Sequence, residues 1–150
     1  MAYLLDSNIL VRLFSEGDPA QAEVAGAIDR LKSRGESLCF VLQNAAEFWN
    51  VATRPKERNG LGLTPAEADT LLNEAEALFD VLPDPPGTYR HWRRLVREAG
   101  VSGVQVHDAR LVAWMLAHGV THLLTRDPDD FRRYAGPAGI TVVEPGEVAA

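Results

Sequence analysis

Four acids in this sequence stand where a carboxylate can do chemistry: Asp6, Glu47, Asp108 and Asp127. Asp6 closes the short apolar run Tyr3-Leu-Leu5, and Asp127 lies two residues beyond another, His122-Leu-Leu-Thr125. Ligands of open α/β sheets collect outside the carboxyl ends of the strands, so an acid that follows a buried strand has more functional weight than one elsewhere. Glu47 falls one turn into a helix behind a further apolar run, and Asp108 stands at the start of a later helix after the Gly-containing segment 100–107. All four are therefore expected at one edge of the sheet. Carboxylates brought together repel one another, which raises some of their pKa values unless a cation is present. A hard divalent ion such as Mg²⁺ takes oxygen ligands, keeps some waters and accepts substrate phosphate oxygens. Such an ion orients a phosphodiester, lowers the pKa of a bound water and neutralises charge on the leaving oxygen, so the implied chemistry is phosphodiester hydrolysis. Taken singly, each acid also has a plainer explanation. Asp6 and Asp108 read as caps, Glu47 as a solvated residue on an amphipathic helix, and Asp127 as a turn residue before Pro128.

The elements that must position these acids alternate between strand and helix. Strands are predicted at 3–5, 37–42, 79–82, 122–125 and 140–143, each a short apolar run bounded by turn residues. A helical turn follows Asp6-Ser-Asn8. Asp18 before Pro19 predicts an N-cap and a helix to about Arg34, stopped by Gly35. From Gln43 to about Thr53, apolar residues cover much of a helix whose polar stripe is Gln43, Glu47, Asn50 and Arg54. Thr64-Pro-Ala-Glu67 is a capping box opening a helix to about Leu78. Thr88 is read as the cap of a helix ending at Gly100, and a last helix runs from near Asp108 to Gly119. Alternation without tight hairpin signals implies an α/β fold with a parallel sheet of four to five strands and helices on both faces.

At 150 residues the chain fits one domain with a sizeable core, and no repeat or linker divides it. The lone Cys39, inside an apolar run, is expected to be a small buried hydrophobe, which suits a reducing cytoplasm. No apolar run is long enough to span a membrane, and the first residues lack the features of a signal peptide, so a cytoplasmic protein is expected. The formal charge of -6 weighs against a phosphate-binding partner at first sight. Its distribution softens that objection: residues 1–86 hold 7 Lys and Arg against 14 Asp and Glu, whereas residues 87–150 hold 8 against 7. Charge alone decides nothing.

Taken in order, Asp6-Ser-Asn8 after a short strand, Glu47 in Asn44-Ala-Ala-Glu-Phe-Trp-Asn50, His107-Asp-Ala109 and Leu124-Thr-Arg-Asp-Pro-Asp-Asp-Phe131 resemble PIN domains, most closely toxins of the VapC type. The resemblance spans residue 3 to about Pro145 and rests on the ordered set, since each short motif alone is unspecific. It implies a PIN-like three-layer sandwich and a metal-dependent endoribonuclease using Mg²⁺ or Mn²⁺. It also implies a homodimer, a cognate antitoxin and an RNA substrate. Carried over residue by residue, Asp6, Glu47 and Asp108 are the principal acids and Asp127 a fourth ligand, direct or through water. Asp130 is the alternative for that fourth place. Thr125 would orient a carboxylate or water through its hydroxyl, and Asn8 would fix the turn around Asp6 or touch the scissile phosphate.

Other chemistry-bearing residues read as structural. Arg90, Arg93, Arg94 and Arg97 form a basic stripe that either grips RNA or faces solvent, the commoner case. The four histidines show no metal-ligand spacing, Trp49, Trp92 and Trp114 sit among core residues, and Ser7 lacks the partners of a serine nucleophile. Two rival functions remain: an aspartyl-phosphate phosphatase or phosphoacceptor built on Asp6, and a non-catalytic binding module. The first is weakened because the only lysines, Lys32 and Lys56, stand at no late strand end.

Overall fold

The computed structural model describes residues 1–149. Its five strands are β1 (Ala2–Leu5), β2 (Ser37–Phe40), β3 (Asp80–Val81), β4 (His122–Leu124) and β5 (Thr141–Val143). They form one sheet in the order β3-β2-β1-β4-β5, with every pairing parallel. Parallel neighbours require crossovers, and the helices supply them. These are α1 (Ser7–Leu13), α2 (Ala20–Ser33), α3 (Leu42–Thr53), α4 (Pro65–Leu78), α5 (Thr88–Glu98), α6 (Val106–His118) and α7 (Arg132–Ala138).

Successive strand residues point to opposite faces, and both faces here are apolar. Tyr3, Leu5, Leu38, Phe40 and Leu124 enter one core together with Val24, Ile28, Phe48 and Ala75 from α2, α3 and α4. Leu4, Cys39, Val41 and Leu123 enter the other, against α5, α6 and α7. This alternation makes three layers, and it explains why the strands read as unbroken apolar runs. In α6 the five consecutive residues Leu111–Met115 are all buried, so the middle of this helix is enclosed while His107, Arg110 and His118 reach the surface. Each large side chain so buried contributes roughly 1.5–3 kcal/mol. Cys39 is a core residue whose thiol burial pushes up to about 12.

Several boundaries differ from expectation for local reasons. The second strand ends at Phe40 because Val41 caps α3, its N–H donating to Asn44 Oδ1 at 2.9 Å. Thr88 caps nothing: Gly87, at φ 96°, precedes the helix, and the Thr88 hydroxyl donates back to Pro85 O. α6 starts two residues before Asp108, because a single 3₁₀ turn at Gly103–Gln105 runs straight into it. α7 has no counterpart among the expected elements, and it contains Gly136-Pro137. A Pro in the last turn of a seven-residue helix removes only one N–H, and Gly139 at φ 67° ends it. Among the described residues no helix is long and apolar enough to cross a membrane.

Candidate active site

β1, β2 and β4 all end at the same edge of the sheet, and pairing continues for one step beyond two of them. The Asp6 N–H donates to Leu124 O at 2.9 Å, and the Thr125 N–H to Val143 O at 2.9 Å. The chain turns immediately at Asp6, whose extended backbone caps α1 and whose Oδ1 accepts the Ser7 N–H at 2.8 Å. Its Oδ2 accepts the Thr125 hydroxyl at 2.7 Å. Thr125 is fully buried and also accepts the Asp127 N–H at 3.0 Å. Asn8 stitches the two strand ends together: Nδ2 lies 2.9 Å from Asp127 Oδ2, 3.3 Å from Thr125 Oγ1 and 3.4 Å from Asp6 Oδ2, while Oδ1 accepts the Arg126 N–H. An amide nitrogen has two hydrogens, so the short bond to Asp127 dominates.

The other acids arrive on helices. Glu47, on α3, takes the Ser7 hydroxyl on Oε2 and Gln43 Nε2 on Oε1 at 3.0 Å. Gln43 also reaches His107 O at 2.8 Å, tying α3 to the backbone just before Asp108. Asn44 donates to the Ser7 hydroxyl at 3.3 Å. These supporting roles of Ser7, Gln43 and Asn44 went unread in the sequence. The i, i+4 spacing of Gln43 and Glu47 was their one legible signal. Asp108 sits in the first turn of α6, half-buried. Trp92, on α5, donates its indole N–H to Val106 O at 2.9 Å and so braces the start of that helix.

Asp6, Glu47, Asp108, Asp127 and Asp130 all line one open cavity of about 390 Å³. The four primary candidates and the alternative fourth acid are thus brought together. Asn8 lines the same cavity, with Thr125 buried behind Asp6. Asp129 instead pairs with Arg132. Asp127 and Asp130 flank a single 3₁₀ turn; Asp127 is the one held by Asn8, and Asp130 is the nearby charge that raises Asp108 most.

Electrostatics record the crowding. Burial, helped by the charges of Asp108 and Glu47 and opposed by the Thr125 hydroxyl and Ser7 N–H, pushes the Asp6 carboxyl up to about 7. Burial likewise raises Asp108 to about 6, helped by Asp130, Glu47 and Asp127 and opposed by Arg133. Beside Arg12 and Arg54, the polar groups lining the cavity are carboxylates, a hydroxyl and amides, with no histidine or cysteine side chain among the described residues that line it. Such a set suits Mg²⁺ or Mn²⁺ rather than a thiolate-seeking metal. Among the described residues no three acidic, histidine or cysteine side chains close around a single point.

The PIN domain family profile matches residues 3–137. This chain is a PIN domain. Solved structures of the same fold include VapBC2 of Rickettsia felis bound to a DNA fragment from its promoter, at TM-score 0.71 and 14% identity over 96% of this chain and 98% of that one. VapBC-1 of nontypeable Haemophilus influenzae matches at TM-score 0.69 and 16% identity, over 98% of this PIN domain and 100% of that chain. VapC20 of Mycobacterium tuberculosis, a toxin that cleaves the sarcin-ricin loop, matches at TM-score 0.62 and 18% identity, over 93% and 96% of the two chains. At these identities the likeness is one of fold. A search of curated protein sequences found no match.

Proposed function

We propose that this PIN domain is a divalent-metal-dependent endoribonuclease, the toxin of a toxin–antitoxin pair. The observation that carries the proposal is the meeting of five carboxylates from four separate segments of the chain on one open cavity at the carboxyl edge of the sheet. Asp6, Glu47, Asp108 and Asp127 would hold one or two Mg²⁺ or Mn²⁺ ions, with Asp130 beside them. A bound divalent ion supplies Lewis acidity to the phosphodiester and balances the charge that develops on it.

The chain's own groups divide the remaining work. Thr125 and the Ser7 N–H fix the Asp6 carboxylate, and Asn8 fixes Asp127. Glu47 is clamped by one hydrogen bond on each oxygen, from Ser7 and Gln43, which leaves a lone pair on each to accept the proton of an attacking water. That water attacks phosphorus in line with the departing 3′ oxygen, giving a 5′-phosphate and a 3′-hydroxyl. No covalent intermediate is needed. Lys32, which a phosphoacceptor reading would want near the site, donates to Leu78 O instead.

The fold shared with VapBC complexes and with a toxin that cuts the sarcin-ricin loop supports RNA as substrate and an antitoxin as partner. A cytoplasmic homodimer inhibited by a peptide offering an Arg to the carboxylates completes the proposal. The test is cleavage of a mixed structured and single-stranded RNA pool with Mg²⁺, Mn²⁺ or EDTA. Cuts that need metal and vanish in Asp6→Asn and Asp108→Asn are expected. Metal-independent cleavage, or cuts that persist in both variants, would reject it.

A further inference from the structure

The carboxylate cavity has a second wall that the hydrolysis does not use. Arg12, from α1, and Arg54, at the end of α3, line it together with Asn59 and Leu61. Past Arg12, Asn59 and Leu61 it continues into a groove of about 840 Å³ on which Lys56 also lies, with Glu16 and Asp18 on the same rim. The carboxylate cavity is thus bordered by Arg12 and Arg54, and the groove beyond it carries Arg12 and Lys56 beside Glu16 and Asp18.

Both arginines are held but not saturated. Arg12 Nη1 pairs with Asp18 Oδ2 at 2.8 Å, and Arg54 Nη2 reaches Asn59 O only at 3.4 Å. The Nε atoms of both are buried without a hydrogen-bond partner. With Nε turned inward, each guanidinium can meet a phosphate only through its terminal Nη groups; the Arg12 side chain is 38% exposed. The segment that carries Arg54 and Lys56 is pinned in place. Leu61 N–H donates to Val51 O, Gly62 N–H to Arg54 O and Leu63 N–H to Ala52 O, at 2.9–3.0 Å. The turn closes so tightly that a Cβ at Gly60 would lie 1.9 Å from Arg54 O.

We propose that Arg12, Arg54 and Lys56 form a phosphate track that holds the RNA strand on one side of the scissile bond, so that the strand enters the carboxylate site along this groove. The inference rests on the ribonuclease reading above. Its argument is continuity: a strand with one phosphate at the carboxylates brings its next phosphates along the same groove, at regular spacing, to three cations. The α5 arginines stand apart from this groove, exposed, with Arg94 on His91 and Arg97 beside Glu98.

The experiment uses a fluorescein-labelled single-stranded RNA of about ten nucleotides, read two ways across a salt series: anisotropy with Ca²⁺ and cleavage with Mg²⁺ or Mn²⁺. Arg54→Gln and Arg12→Gln are expected to weaken binding about tenfold each, raising KM while kcat holds. Each, and Lys56→Gln, should flatten the plot of log affinity against log salt by about 0.7. Arg54→Lys should restore the salt slope more than the affinity, which loss of a merely structural arginine would not show. Lys56 is exposed, so its variant tests the track without risk to folding. Unchanged KM and slope in Arg54→Gln and Lys56→Gln would overturn the track, most clearly if Arg90→Gln and Arg93→Gln lowered the slope instead. So would variants that lose only capture of a protein partner. Binding that follows the track in protein that never cuts would leave it standing and remove the nuclease reading; no RNA binding at all would remove both.

Discussion

The two halves of the acidic site are built differently. Asp6 and Asp127 stand on the ends of β1 and β4, where Thr125 and Asn8 join neighbouring strands through a closed set of hydrogen bonds. Asp108 is carried by α6, and among the described residues no side chain or backbone N–H bonds its carboxylate; only Gln43 and Trp92 hold the backbone beside it. The carboxyls of Asp6 and Asp108 are both raised, chiefly by burial, but the next influences differ: hydrogen bonds that favour the ionised form at Asp6, and neighbouring acids at Asp108. One half is fixed by its own hydrogen bonds, whereas in the proposed nuclease the other would rely on a cation to offset its acidic neighbours.

The largest effect should come from removing a charge from either half. Asp6→Asn and Asp108→Asn are each expected to lower RNA cleavage on the order of 10³-fold, since each takes a full charge from the site. If the asymmetry holds, Asp108→Asn leaves the metal-free fold as stable as before or more so. A large loss of thermal stability in Asp108→Asn would break the contrast.

Thr125→Val tests the bonded half alone. It keeps the shape, removes the hydroxyl that favours ionised Asp6, and should cost about 10–100-fold in activity or metal affinity. Because that hydroxyl lowers the Asp6 pKa, the variant's activity should also rise at a higher pH than in the unmodified protein. A pH profile that does not move would assign Thr125 to packing only.

Stability against pH separates the halves without any substrate. Asp6 keeps its proton up to about 7 in the folded chain, against an ordinary value of 3.8. Between those values the folded state binds more protons than the unfolded one, so the group carries a penalty that is absent below about 3.8 and complete above about 7. Metal-free protein should therefore lose roughly 2–4 kcal/mol from this group as pH rises through that window, and Asp6→Asn should not. Asp108, raised only to about 6 and half exposed, should contribute less over a narrower range. Thermal unfolding at a series of pH values, with and without Mg²⁺, reads all three, the ion reversing the loss only where Asp6 is intact.

The smallest effect distinguishes two acids at the rim. Asp127→Asn is expected to lower cleavage about tenfold and Asp130→Asn less, because Asn8 fixes only the former. Equal losses would mean that the Asn8 bond positions nothing of consequence.

Much of this was legible in the sequence, for reasons tied to particular residues. Tyr3-Leu-Leu5 followed by an acid announces a buried strand and its functional end, and Thr64-Pro-Ala-Glu67 announces a helix start; both signals are local. What holds the acids in place is not local. Asn8 and Asp127 are 119 residues apart, Ser7 and Glu47 are 40, and Gln43 and His107 are 64, so no spacing rule could pair them. α7 was hidden because a Gly-Pro pair that usually breaks a helix falls here in its last turn. The choice between Asp127 and Asp130 was not legible either, since both face the cavity across one turn.

The strand order has a consequence for how the protein is made. β4 pairs directly with β1, yet almost the whole chain separates them in synthesis. A nascent chain that has not yet delivered residue 125 holds Asp6, Glu47 and Asp108 but has neither the hydroxyl that sets Asp6 nor the turn that carries Asp127. Closing so long a loop is slow to begin, and it comes late because a chain emerges from its N-terminus. The carboxylate site is thus one of the last things the ribosome's product acquires, and a chain interrupted before residue 125 lacks part of it.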